Sequence, residues 1–346
     1  MCRIAEASAG RRALGRQAGG IGPWLLGILV LVLLVGVIGF LYMRANPLAV
    51  YERTTRQALA RSGMTMEIAD TASGQLVFWS GGEGPRLYLL HGVGDQAGAF
   101  QGVVRSLLPD YRVFVPDLPG HGESEPGEGP LSMEVVYRGL EQFLIESAGD
   151  EPAILVGSSM GAWLATVYAH RHPDRVDRIV LVNGGALTGE RTDLSLVPVD
   201  REAARSLMAE LRDPSSPPIP DFVLDDIVER SAAGPIGRMM EAWEDFEPFL
   251  LDDRLHEVAV PVDLLWGESD RLMSLSYAER MASLLPRSRL TTIEACGHHP
   301  ANECPDKLAA ALTSVLASGP PAPAAPDTDS EVAGMIETGS DGEALE

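Results

Sequence analysis

Gly157-Ser158-Ser159-Met160-Gly161 sets a hydroxyl between glycines, directly after the apolar run Ile154–Val156 and before a helix-like stretch, Ala162–Arg171. A strand, a tight turn and a helix in that order push a serine side chain out of a sheet. The helix N-terminus beyond the turn favours negative charge that develops there. Glycines suit the turn because side chains at those positions would clash with neighbouring backbone. A serine hydroxyl is a poor nucleophile until a base takes its proton. The histidines are His91, His121, His170, His172, His256, His298 and His299. His298 stands out, since Gly297-His298-His299-Pro300 follows the strand candidate Leu290–Ile293. Asp270 lies in Trp266-Gly267-Glu268-Ser269-Asp270, after the strand candidate Val262–Trp266. Groups beyond the carboxyl ends of parallel strands converge on one sheet edge. Ser159, His298 and Asp270 can therefore meet as nucleophile, base and orienting acid, a set suited to attack on an acyl carbonyl.

Each residue has a rival or a plainer use. Ser158 adjoins Ser159 and reads better as a small turn residue, and His299 adjoins His298. Asp270 can cap the helical stretch that follows it, and Glu268 is the competing acid. His91 and His121 suit loops near strand ends, where histidines hold turns by hydrogen bonds. Met208, Met239, Met240 and Met273 can line an apolar pocket or simply fill core.

The elements that must position these groups are legible as an alternation. Met64–Ala69 and Gln75–Ser80 read as two strands around a turn. Leu87–Leu90, Val113–Val115, Ile154–Val156, Ile179–Val182, Val262–Trp266 and Leu290–Ile293 follow as short apolar runs. Leu131–Glu146, Gly161–Arg171 and Ser276–Leu285 between them have helical spacing. The expected class is α/β, with a mostly parallel central sheet covered by helices on both faces. Residues 187–255 interrupt the alternation with prolines and apolar residues such as Leu207, Met208, Phe222 and Phe246. They are expected to form a mobile cap that sets substrate choice.

Upstream, residues 24–43 are apolar, Gly or Tyr throughout, with no charge. Twenty helical residues span about 30 Å, the hydrocarbon thickness of a bilayer. Trp24 and Tyr42 stand where amphipathic rings favour the headgroup level. The run is longer than a signal peptide's apolar region and lacks a good cleavage site, so a retained anchor is expected. Residues 1–23 form a basic tail and 44–63 a connector. Arginines balance across the span, and the short tail with four of them places the catalytic domain on the non-cytoplasmic side.

The net charge is −22, and residues 318–346 contribute seven acids and no base, which marks a disordered tail. The remaining body is acidic with no dense basic run, which argues against a nucleic-acid partner. Cys2 lies far from Cys296 and Cys304. The latter two could be closed by a bridge, but spacing alone does not supply disulfide geometry, and the balance is against pairing. A single cysteine pair is no recognisable zinc set either.

Five stretches in order resemble the α/β-hydrolase superfamily over about residues 64–317: His91-Gly92-Val93-Gly94, Asp117-Leu118-Pro119-Gly120-His121-Gly122-Glu123-Ser124, the Ser159 turn, the Asp270 segment and Gly297-His298-His299-Pro300-Ala301-Asn302-Glu303. The resemblance implies an α/β-hydrolase fold with a helical cap insertion. It implies a triad in the order Ser159, Asp270, His298, with His298 rather than His299 as base. It also implies an oxyanion hole from the backbone amides of Val93 and Met160, and no metal or organic cofactor. Serine at the turn, where dehalogenases and epoxide hydrolases carry aspartate, argues against those chemistries. The Ser-Met-Gly turn and N-terminal anchor are similar to membrane-bound esterases and monoacylglycerol lipases, whose partners are small acyl esters or lipids. The same turn occurs in carbon–carbon bond hydrolases, and acyltransferases or catalytically silent binding proteins can share the scaffold. The sequence gives no sign of an oligomeric state.

Overall fold

The computed structural model describes residues 21–189 and 194–323; of the tails expected at 1–23 and 318–346, residues 1–20 and 324–346 lie outside the described residues. The chain divides into two units, Met1–Asn46 and Pro47–Glu346. Within the first, Ile21–Ala45 is one helix. Its stretch Trp24–Ala45 has a mean hydropathy of 3.0, enough by length and composition to cross a membrane.

The second unit is built on eight strands: β1 (Thr65–Thr71), β2 (Gly74–Gly81), β3 (Arg86–Leu90), β4 (Arg112–Pro116), β5 (Ala153–Ser158), β6 (Val176–Val182), β7 (Val262–Gly267) and β8 (Ser288–Ile293). They lie in the order β1-β2-β4-β3-β5-β6-β7-β8. β1 and β2 pair antiparallel, as do β2 and β4, and the rest are parallel. The sheet is thus mostly parallel, as expected, and both its faces are covered. In β3, Leu87 and Leu89 join one core while Tyr88 and Leu90 join the other, the period-two alternation of a strand. One core takes Leu140, Phe143 and Tyr168 from helices Met133–Ala148 and Met160–Arg171. The other takes Leu59, Leu308 and Leu312 from helices Pro47–Arg61 and Pro305–Ala317.

The segment expected as a connector contains that helix Pro47–Arg61, which packs into the second unit rather than merely leading to it. Leu59 is fully buried, worth about 2 kcal/mol of burial. Arg56 reaches the fully buried Asp117 carboxylate at 2.8 Å. Asp117 also accepts from the Ala97 and Glu123 amides at 2.7 and 2.9 Å.

The interruption at 187–255 carries helices Arg201–Leu211, Asp221–Ser231 and Pro235–Met240. Arg238 holds the last of these by donating to the carbonyls of Gly120, Pro126, Gly127, Glu128 and Gly129. A buried guanidinium needs that many acceptors to offset its lost hydration.

Candidate active site

β5 ends at Ser158, and the helix Met160–Arg171 begins two residues on, leaving Ser159 alone in the turn. Its φ of 53° is left-handed, a conformation costly for a non-glycine residue and held here by what surrounds it. A Cβ on Gly157 would collide with the Gly161 carbonyl, and one on Gly161 with the Leu90 carbonyl. The Ser159 N–H donates to the Val182 carbonyl at 2.9 Å, tying the turn to β6.

Ser159, His298 and Asp270, named from separate stretches of sequence, come together. The Ser159 hydroxyl lies 3.0 Å from His298 Nε2, and His298 Nδ1 lies 2.8 Å from Asp270 Oδ2. His298 is 1% exposed and Asp270 4%, while Ser159 is half-buried and therefore reachable. Burial raises the Asp270 pKa, but the His298 charge and hydrogen bond outweigh it, with help from Asn183 and the Met273 amide. The carboxyl is held below its ordinary value and is ionised at neutral pH.

The rivals fall elsewhere. Ser158 is buried within β5, paired with Val182 of β6. Glu268 is exposed and accepts from Thr292 at 2.9 Å. His299 packs edge-on to His298 with centroids 4.9 Å apart. His91 Nδ1 bonds the Gly92 carbonyl at 2.8 Å while its Nε2 accepts from the Leu118 amide at 2.9 Å. Those two bonds fix a neutral tautomer and brace the loop that carries Val93.

The two amides expected to face a developing oxyanion are both available. Among the described residues, neither the Val93 nor the Met160 N–H meets a protein acceptor. Met160 opens its helix, where amides lack intrahelical partners. Val93, Trp163, Met240 and Met273 are partly buried apolar residues packed on the core that contains Met160 and Met239. Ile236 of the cap occupies the space at Gly94, 2.7 Å from where a Cβ would stand. The cap thus lies against the loop that carries Val93.

Two features escaped the sequence. Asn183, fully buried at the end of β6 with φ 49°, donates to Asp270 Oδ2 at 2.5 Å and to the Gly297 carbonyl at 3.3 Å. Its own carbonyl accepts from the Gly267 amide at 3.1 Å, so one side chain links the ends of β6, β7 and β8. The available signal was Asn183-Gly184-Gly185 directly after an apolar run, since asparagine tolerates the left-handed region. The second is a correction: Cys296 and Cys304 are joined, with Cα atoms 6.1 Å apart. The left-handed turn at Ala295 and the short helix Pro300–Glu303 bring the chain back on itself around His298.

The alpha/beta hydrolase family model matches residues 87–311. A 2-hydroxy-6-oxononadienedioate/2-hydroxy-6-oxononatrienedioate hydrolase of Pseudomonas putida is 27% identical over 270 residues, covering 68% of this chain and 93% of its own. Monoacylglycerol lipase abhd6-B of Xenopus laevis is 26% identical over 321 residues, covering 84% and 93%. The crystal structure of a bacterial membrane phospholipase A superposes with a TM-score of 0.68 at 25% identity, covering 86% of this chain and 98% of that one. With the family match spanning well over half the residues and the sheet order in place, the chain belongs to the alpha/beta hydrolase family.

Proposed function

We propose that this hydrolase cleaves carboxylic esters of lipid-like substrates, monoacylglycerols among them, through an acyl-enzyme on Ser159. One observation carries the reading: a serine hydroxyl, an imidazole and a buried carboxylate in a continuous hydrogen-bonded line, at 3.0 and 2.8 Å. His298 Nε2 takes the Ser159 proton as Oγ attacks the acyl carbonyl, and Asp270 holds the ring and stabilises the imidazolium. The carbonyl oxygen becomes an oxyanion, received by the unpartnered amides of Met160 and Val93, each worth about 3–4 kcal/mol when lost. The protonated His298 then gives its proton to the leaving alcohol. Water, deprotonated by the same nitrogen, attacks the acyl-enzyme and releases the acid.

A membrane-spanning role for Trp24–Ala45 fits a substrate that resides in lipid, with the catalytic unit on the non-cytoplasmic side. A carbon–carbon bond hydrolase is the second reading, favoured by the similarity to the Pseudomonas putida enzyme. Hydrolysis of a p-nitrophenyl ester series and of monoacylglycerols by the chain lacking residues 1–45 tests the proposal. Turnover rising with acyl length supports it, and none on any ester, with turnover of a vinylogous diketone instead, moves the assignment to the second reading.

A further inference from the structure

Cap residues 211–216 run between the two loops that carry Asp270 and His298, and their contacts with those loops fall next to these residues. The Leu211 carbonyl accepts from the N–H of His298 itself at 2.7 Å. The Asp213 carboxylate accepts from the hydroxyl of Ser269, the neighbour of Asp270. Glu303 completes the connection. One of its carboxylate oxygens accepts from the N–H of Gly297, the residue before His298, at 2.6 Å. The other accepts from the Asp213 N–H at 2.7 Å and from the Ser216 hydroxyl. A single half-buried carboxylate therefore holds the base loop with one oxygen and the cap with the other.

We propose that Glu303 is a positioning residue that couples the seating of the cap to the alignment of His298 with Ser159. The inference rests on the reading of Ser159, His298 and Asp270 as the reacting set. Hydrogen bonds to an ionised acceptor are stronger than neutral ones, so three donors on one carboxylate make a firm tie. The requirement is strict, because a displacement of about 1 Å at a reacting group costs roughly a hundredfold in rate. The Cys296–Cys304 disulfide closes the same loop just outside the Gly297–Glu303 contact. It secures the loop's ends, while among the described residues Glu303 and the Leu211 carbonyl tie that loop to the cap. The cap thus does more than select substrate: when it is seated, it holds the base in place.

Glu303→Gln tests this with little change of shape, because an amide can present oxygen to only one of its two sides. Ser216→Ala removes only a hydroxyl on the cap side. The full chain in detergent is used, with competent sites counted by fluorophosphonate titration and kcat and KM taken per titrated site on p-nitrophenyl acetate. Glu303→Gln is expected to lower kcat per site roughly tenfold or more with KM nearly unchanged. Ser216→Ala should give a smaller drop in the same direction. A purely structural role would reduce the number of sites or the melting temperature while leaving kcat per site intact, and that result overturns the proposal. Should Glu303→Gln lose its circular dichroism, Ser216→Ala decides by the same criterion. A wild-type chain that takes no probe and turns over no ester overturns the triad reading and this one with it, whereas an active wild type with unchanged variants overturns the coupling alone.

Discussion

At the scale of single residues, the site depends on side chains whose surroundings differ more than their types. Ser158 and Ser159 are neighbours, yet one is buried in β5 and the other stands in the turn within reach of His298. Ser159→Ala should lower kcat by on the order of 10⁴-fold or more and abolish fluorophosphonate labelling, with circular dichroism unchanged. Ser158→Ala should keep its label, and the reverse pattern would identify the wrong serine as nucleophile. Asn183→Ala removes a donor from Asp270 and an acceptor from the buried Gly267 amide. It should destabilise the fold by about 1–3 kcal/mol in urea titration and lower kcat as well. No change in either would mean that Asp270 is positioned without it. The serine, the histidine and the aspartate were legible because each follows a strand in a recognisable local pattern. Asn183 was not, since its role arises only when three strand ends meet. The cysteine pair was not legible because the eight-residue spacing does not show that the chain folds back through the short helix Pro300–Glu303 to bring the two Cα atoms within 6.1 Å.

At the scale of elements, the strands of the sheet were legible as short runs, and a mostly parallel sheet followed from their alternation with helices, but the order in which the strands lie was not legible. The helix Pro47–Arg61 shows what local pattern leaves out. The sequence marks it as part of a connector, but not the surfaces it joins. Its Tyr51 hydroxyl donates to Asn302 at 2.6 Å, and the Leu48 amide donates to Asp226 of the cap at 2.9 Å. Arg56→Ala would leave the Asp117 carboxylate buried without its cation, a change expected to cost about 3–5 kcal/mol in denaturant unfolding. A loss under about 1 kcal/mol would show that the two amides on Asp117 suffice. A chain starting at Pro47 should likewise melt as a single cooperative unit, and one starting at Ser62 should not.

At the scale of the whole molecule, acid stability follows from buried histidines. Burial pushes His91 down to about 4 and His121 to about 3, with each further disfavoured by a nearby positive charge. The unfolded chain protonates histidines near 6.5, so between 6.5 and those values it binds protons that the folded chain does not. Stability is therefore full above about 6.5 and is lost as pH falls, by up to about 1.4 kcal/mol per pH unit for each histidine. Asp95, which burial raises to about 6, opposes this between its ordinary 3.8 and that value, as does Glu52, also raised by burial, while His299, pushed down to about 3, acts with His91 and His121. The melting temperature should fall between pH 7 and pH 4, and a flat profile would mean that His91 and His121 protonate in place. The full chain should also sediment with membranes, whereas removal of residues 1–45 should release a soluble, active unit. That Ser159 is the nucleophile of an ester hydrolase is tested most directly by mapping the adduct of a fluorophosphonate probe by mass spectrometry. One modified peptide is expected, with the phosphonyl group on Ser159 and ester turnover lost in proportion to labelling. Modification of another residue, or full ester turnover with Ser159 completely labelled, would contradict it.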